Sequence, residues 1–176
     1  MINVRDDDIF LNAIWKHQIF KESKIFVDIG VTTSRPFPSR YIKKNLQMYE
    51  ICNHSHCHKI GELVSWDKKK QKEDIEKANR VIKKKLGITP KYFIPPGGKY
   101  NDQLVEVCES IGLKLHPSYV MREKHPEKYY SAHKKDIIGK KDGWYVCHTS
   151  NRQPSHSRLK KNVKYLCEKK LTRFWE

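Results

Sequence analysis

The chain of 176 residues lacks the long apolar runs that membrane proteins carry. No stretch approaches the ~18 consecutive apolar residues of a membrane-spanning helix. The first residues, Met-Ile-Asn-Val-Arg-Asp-Asp-Asp, lack the basic, apolar and cleavage regions of a signal peptide. The cysteines are few, scattered and odd in number, at five, which favours reduced thiols over a disulfide framework. These absences predict a cytoplasmic protein with no membrane partner.

The sequence also lacks internal repeats, low-complexity tracts and any linker rich in Gly, Ser or Pro. Its length suits one domain of ordinary size, so we expect a single domain over residues 1–176. Apolar residues make up only 38% of the chain, but aromatic residues reach 11%, which is too many for a disordered chain. We therefore expect one folded domain with its own core.

Acidic residues are the scarce charged type, because 20 Asp and Glu stand against 36 Lys and Arg and leave a net charge of +16. A charge so far from zero favours encounters with nucleic acid, anionic glycans or anionic lipids, without choosing among them. Many lysines in residues 68–85 alternate with acids, which is typical of a solvated helix face. A basic nucleic-acid-binding module stays an alternative, and its affinity would fall steeply with salt.

Short apolar or β-branched runs alternate with helical stretches along the chain, which is the pattern of βα units. The predicted strands cover residues 2–4, 25–31, 49–52, 91–94, 113–116 and 144–147. The predicted helices cover about residues 8–22, 39–48, 67–86, 102–111 and 155–173. This alternation predicts an α/β fold with a mainly parallel sheet or barrel. The polar stretch 123–141 fits neither pattern.

Four unusual clusters each follow a predicted strand. They are Asp6-Asp7-Asp8, His54-Ser55-His56-Cys57-His58, Pro95-Pro96-Gly97-Gly98 and His148. The carboxyl ends of parallel strands meet at one edge of a sheet, and active sites of α/β proteins are built there. We therefore expect the four clusters to lie close together.

The aspartate and histidine clusters have the chemistry of a metal site. Three adjacent carboxylates repel one another unless a cation lies nearby. His54 and His58 are four residues apart, so a helical turn or a tight loop brings their rings together. Two imidazoles and a carboxylate leave positions open for water and substrate, as a catalytic metal needs. The alternatives are an adventitious histidine run and a closed structural zinc site that uses Cys52 and Cys57.

This ordered set of clusters resembles the polysaccharide deacetylases, the NodB-homology domain of carbohydrate esterase family four. The resemblance rests on the aspartates that end the first strand and on residues 50–58 (EICNHSHCH), 93–98 (FIPPGG) and 146–148 (VCH). It implies a distorted, incomplete (β/α) barrel. It also implies metal-dependent hydrolysis of an N- or O-linked acetyl group from a sugar or glycan.

By this resemblance, His54 and His58 would be two ligands of a divalent metal, with an aspartate as the third. Zinc is the default metal, and cobalt, nickel or manganese would satisfy the same ligands. Three aspartates stand where the family has two, so either Asp6 and Asp7 or Asp7 and Asp8 are the base and the ligand. We take Asp7 as the general base and Asp8 as the ligand.

That register is chosen because it keeps Val4 inward and Arg5 outward on the strand. By the same resemblance, Ser55 would brace the histidine loop and His148 would be the general acid. Pro96 and Gly97 would belong to the turn that supplies a backbone N–H to the oxyanion.

The chain departs from the family pattern at two positions. Ile94 stands where the family has an arginine, and Gly97 stands where it has an aromatic residue. The family's arginine orients the base, so either another cation such as Arg5 does this or the base is tuned differently.

We therefore expect a metal-dependent deacetylase whose substrate is an acetylated carbohydrate or a related small amide, and the positive charge would steer an anionic substrate. The alternatives are a catalytically inactive deacetylase-like protein and the nucleic-acid-binding module.

Overall fold

The structure is a computed structural model that describes residues 1–7, 9, 14–132, 137–148 and 154–173. Strands and helices alternate through this part of the chain. The strands are β1 (Ile2–Asp7), β2 (Val27–Val31), β3 (Tyr49–Asn53), β4 (Tyr92–Phe93), β5 (Lys114–Leu115), β6 (Tyr129–Ser131) and β7 (Gly143–His148). The helices are α1 (Ile14–Glu22), α2 (Ser39–Lys44), α3 (Lys68–Leu86), α4 (Asp102–Ser110), α5 (Pro117–Lys124) and α6 (His156–Glu168).

The seven strands form one sheet in the order β5-β4-β3-β2-β1-β7-β6, and every neighbouring pair is parallel. In the register of β1 with its neighbours, Asp6 pairs with Ile29 of β2 and Asp7 pairs with His148 of β7. The carboxyl ends of all strands therefore meet at one edge of the sheet. The expected α/β fold with a parallel sheet is confirmed.

The sheet is curled, because side chains from distant strands meet across it. His116 directly follows β5, and Trp144 lies on β7, which is five strand positions away. Neighbouring strands lie about 4.8 Å apart, so a flat sheet would separate these strands by about 24 Å. The two ring centroids are instead 4.9 Å apart. The sheet thus closes most of the way into a barrel, and the expected distorted, incomplete barrel is confirmed.

The curled sheet has an apolar outer face and a polar inner face. Ile2 and Val4 of β1 point outward and pack with Phe20 of α1 and Leu159 of α6 in the main hydrophobic core. Side chains alternate along a strand, so Arg5 falls on the inner face. The inner face therefore carries the groups that can do chemistry.

The helix boundaries follow from local signals that the sequence contains. Asp67 begins α3, because its side chain accepts the backbone N–H of Lys70 at 2.8 Å. Gly87 ends that helix with a φ of 79°, a left-handed conformation that costs glycine little. The predicted helix over 67–86 is confirmed within one residue.

Two predicted helices end earlier in the structure, and two elements of the structure, α5 and β6, were not predicted. The helix predicted over 39–48 ends at Lys44, because Asn45 has a φ of −132°, and a short 3-10 turn follows over Leu46–Met48. The helix predicted over 155–173 ends at Glu168. The short strand β6 lies within the stretch 123–141, which fits neither sequence pattern, and it pairs with β7. Residues 8 and 10–13 of the helix predicted over 8–22 lie outside the described residues.

No helix in the described ranges is long and apolar enough to cross a membrane. All five cysteines fall within those ranges and carry free thiols. Cys52, Cys108 and Cys147 are buried.

Candidate active site

Asp6 lies on the outer face of the sheet, behind the edge where the clusters meet. Its two carboxylate oxygens contact Lys16 Nζ at 2.8 Å and His17 Nε2 at 2.9 Å, both on α1. All three side chains are fully buried. Burial alone raises the pKa of Asp6, but the ammonium group of Lys16 and the contact with His17 outweigh it, so the pKa is lowered. Asp6 is thus an ionised structural group that ties β1 to α1.

Asp7 lies on the inner face, where its Oδ2 accepts a hydrogen bond from Arg5 Nη2 at 2.8 Å. The expected orientation, with Val4 inward and Arg5 outward, is wrong, since Val4 packs in the core on the outer face of the sheet and Arg5 is only 1% exposed on the inner face. Strand alternation puts Arg5 two residues before Asp7 on the same face, inside the curled sheet. Asp8 lies outside the described residues.

The guanidinium of Arg5 is held by hydroxyl groups as well as by Asp7. Arg5 donates to Ser118 Oγ, to Tyr129 Oη at 2.8 Å and to Tyr119 Oη at 3.3 Å. Burial alone lowers the pKa of Arg5, but the carboxylate of Asp7 and the two tyrosines raise it by more, so the group stays charged. Sequence reasoning missed these three partners, which lie more than 110 residues along the chain.

A series of hydrogen bonds continues from Ser118 through the inside of the barrel to Asp28 and Arg173. His116 Nδ1 lies 2.8 Å from Ser118 Oγ, and His116 Nε2 lies 3.2 Å from Asp28 Oδ2. Arg173 Nη2 donates to Asp28 Oδ1 at 2.6 Å. Ser118 is fully buried and receives the Arg5 N–H, so this Ser-His-Asp set is structural rather than a nucleophilic triad.

His54 follows β3, and its ring orientation is fixed. Its Nδ1 lies 2.6 Å from the backbone oxygen of Ile94, a contact in which Nδ1 must be the protonated donor. The neutral ring then carries its lone pair on Nε2, as a metal ligand requires. A Cβ at Gly30 of β2 would lie 3.3 Å from His54 Cβ and Cγ. The bare glycine therefore lets the ring lie across β2, next to the strand that carries Asp7, and glycine inside a strand is a sequence signal of such a close approach.

His58 lies beside His54, with 4.9 Å between the ring centroids. Two imidazoles on one tetrahedral zinc ion, with Zn–N distances of about 2.0 Å, place their ring centroids about 5 Å apart. Ser55 Oγ accepts the backbone N–H of His58 at 2.9 Å, which tightens the loop between the two histidines. The separation of the two rings thus fits a shared divalent ion.

Asp74 of α3 holds the backbone of the same loop. The sequence analysis did not identify this residue. Its carboxylate accepts the backbone N–H groups of His56 at 2.8 Å and Cys57 at 3.0 Å. Asp74 falls on the apolar stripe of α3, next to the fully buried Ile75. An acid on an apolar stripe is the sequence signal that would have identified it. His56 itself turns away, with Nδ1 at 2.9 Å from Thr33 Oγ1.

The turn after β4 lies against the histidine loop. Pro96–Gly98 form one 3-10 turn, and Gly97 has a φ of 64°. A Cβ at Gly97 would come within 2.5 Å of Ile60 Cγ2, so Ile60 fills the space beside this glycine. Ile94 packs in an apolar cluster with Cys52 and Tyr119 and brings no charge to the site.

His148 ends β7, and its backbone pairs in register with Asp7 on the neighbouring strand. Its side chain lies outside the described part of the structure. The structure thus brings His54 and His58 together and places Asp7 and the backbone of His148 side by side.

A divalent metal would need a third protein ligand besides the two histidines. Within the described ranges, no group of three or more His, Cys, Asp or Glu side chains is arranged to hold an ion. Asp8, the aspartate expected to complete the set, is not among the described residues. The separation of the two imidazoles fits a divalent ion, and Asp8 would be the third ligand.

Comparison with known proteins agrees with this geometry. The model of the family described as Polysaccharide deacetylase matches residues 31–116, which include the histidine loop and the turn after β4. No curated protein matches the chain at a significant level.

Solved structures of carbohydrate esterase family four share the fold. A pseudoenzyme of that family from Bacillus anthracis is 15% identical with a TM-score of 0.67, and the match covers 98% of this chain and 62% of that one. This chain thus spans less than two thirds of that protein's length. The peptidoglycan deacetylase PdaC from Bacillus subtilis is 20% identical with a TM-score of 0.65, covering 96% of this chain and 84% of that one.

An acetyl xylan esterase of family four from Clostridium thermocellum, solved with a cobalt ion, is 16% identical with a TM-score of 0.68. That match covers 96% of this chain and 82% of the esterase. At these identities the structural matches establish the fold, and the family model adds the sequence evidence. Residues 31–116 are therefore similar to the polysaccharide deacetylase family, and the chain shares the fold of distant members of carbohydrate esterase family four.

Proposed function

We propose that this chain is a metal-dependent hydrolase that removes an N- or O-linked acetyl group from a sugar or a related small amide. The observation that carries the proposal is the fixed imidazole of His54. Its Nδ1 is bound to the Ile94 carbonyl, and its ring lies across Gly30, towards the strand that carries Asp7. This arrangement presents one defined ring nitrogen at the carboxyl edge of the sheet.

His54 and His58, with Asp8 as third ligand, would hold the ion, and zinc is the metal we expect. When bound, a divalent ion polarises an acetyl carbonyl and makes a coordinated water more acidic. Asp6 binds Lys16 and His17 on the outer face of the sheet, so it does not face the inside of the barrel. This favours the register in which Asp7 is the base.

Asp7 takes a proton from the attacking water, because its carboxylate faces the inside of the barrel and is held by Arg5. His148 returns a proton to the departing amine or alcohol, since its backbone pairs with that of Asp7. The backbone N–H of Gly97 donates to the oxyanion, in a turn that approaches the histidine loop closely.

A second candidate is a protein that keeps this fold without turnover. Ile94 brings no charge to the site, and the side chain of Ile60 lies directly against the turn at Gly97. A structurally similar protein from Bacillus anthracis is described as a pseudoenzyme. Nucleic-acid binding has only the net charge of +16 in its favour.

The test is acetate release by protein loaded with zinc or cobalt, on acetylated chito-oligosaccharides, acetylated xylo-oligosaccharides and a small aryl acetamide. We expect the wild type to release acetate and Asp7→Asn to lower kcat by about a thousandfold, as removal of a general base does. Asp102→Asn, an exposed aspartate of α4, is the matched control and should keep wild-type kcat. No release from any substrate would favour the inactive relative, and undiminished release by Asp7→Asn would contradict the assigned base.

A further inference from the structure

Arg5 draws its partners from elements that are far apart in the sheet. It lies on the inner strand β1, whereas Ser118 and Tyr119 belong to α5 beyond one edge and Tyr129 belongs to β6 at the other edge. The guanidinium also lies over both rings, at 4.7 Å from the Tyr119 centroid and 5.6 Å from the Tyr129 centroid. The two edges of the incomplete barrel therefore meet on one buried cation.

This arrangement restrains the cation through both of its terminal nitrogens. A guanidinium is a rigid planar fork, so hydrogen bonds on several of its N–H groups fix both its position and its tilt. Nη1 donates to Ser118 Oγ, and Nη2 donates to Asp7 Oδ2 and to the hydroxyl groups of the two tyrosines. The position of the Asp7 carboxylate thus depends on the groups that hold Arg5.

We propose that Arg5 is the positioning residue for the Asp7 carboxylate and that Ser118 and Tyr129 set its position from the two edges of the barrel. The inference rests on the proposed function, because it concerns the base of that reaction. It goes further because it gives α5 and β6, which carry none of the sequence motifs, a role in placing the base. A catalytic step depends on the placement of the base within about 1 Å, so a small shift of Arg5 is costly.

The test removes single hydroxyl groups and leaves the buried charges paired. Tyr129→Phe and Ser118→Ala each take one partner from Arg5, while the contact between Arg5 and Asp7 remains. We expect each variant to lower kcat by about tenfold with KM within twofold of wild type, because substrate contacts are untouched. Tyr130→Phe is the matched control, since Tyr130 is the next residue of β6 and packs in the outer core. It should keep wild-type kcat.

Unchanged kcat in both folded variants would overturn the proposal, as would an equal loss in Tyr130→Phe. A readout that needs no activity separates this inference from the proposed function. In a double-mutant cycle of Tyr129→Phe with Asp7→Asn, followed by the free energy of unfolding, the two effects should be non-additive because both side chains hold Arg5. Additive effects would overturn the positioning role even if acetate release were observed. Non-additive effects in a protein without turnover would refute the proposed function and leave the coupling through Arg5 standing.

Discussion

The clamp between Asp74 and the histidine loop makes a quantitative prediction. Asp74 is 8% exposed, and its two oxygens accept the backbone N–H groups of His56 and Cys57. Replacement by alanine removes both acceptors, and replacement by asparagine turns one acceptor into a donor that faces a backbone N–H. The loop that carries His54 and His58 then loses its support from α3.

The size of the effect follows from those two contacts. A hydrogen bond to a charged group contributes about 1.5–3 kcal/mol, and the half-buried loop can regain water when it moves, so the lower end applies. Asp74→Ala should lower the free energy of unfolding by about 3 kcal/mol and Asp74→Asn by about half as much. The affinity for zinc should also fall by about tenfold or more, because loss of outer support costs that much in metal sites.

The assay is denaturant unfolding at pH 7, followed by tryptophan fluorescence, with zinc affinity measured by competition against a chelating dye. Glu73→Gln is the control, because Glu73 is the exposed neighbour on α3 and carries the same charge. It should change stability by less than about 0.5 kcal/mol. If Asp74→Ala were as stable as this control, the clamp would not support the loop and the reasoning would be refuted.

Two further predictions concern buried groups of the barrel. Gly30→Ala should weaken zinc binding by about tenfold, because the new Cβ would lie 3.3 Å from His54 Cβ and Cγ and would displace the ring. Wild-type zinc affinity in a competition titration would contradict this. Burial lowers the pKa of His116, despite the opposing contact with Asp28, so below the ordinary histidine pKa of about 6.5 the unfolded chain binds more protons at this position than the folded protein does. Wild-type stability should therefore fall as the pH drops below about 6.5, and His116→Gln should make that slope smaller, by at most about 1.4 kcal/mol per pH unit. Equal slopes for the two proteins between about pH 6.5 and pH 5 would contradict this.

The alternation of strands and helices could be predicted because its signals are local. Asp67 and Gly87 mark the ends of α3 by side-chain capping and left-handed backbone, which depend only on neighbouring residues. The strand β6 could not be predicted, because three residues carry no periodicity and their parallel pairing with β7 leaves no local signal in the sequence.

The candidate site divides in the same way. The histidine loop was visible because His54 and His58 lie close together in sequence, and the structure places their rings side by side. The position of Arg5 was mistaken, since an arginine on a strand is normally exposed unless it is paired. Its partners Ser118 and Tyr129 become neighbours only when the sheet curls.

The proposed function depends on a metal site built on the histidine loop. The most direct test is elemental analysis of untagged protein, comparing wild type with the His54→Ala, His58→Ala double variant after both have been incubated with zinc and desalted. We expect about one equivalent of zinc in the wild type and none in the variant, because two imidazoles supply most of the ligands. No bound metal in the wild type, or equal metal in both proteins, would contradict it.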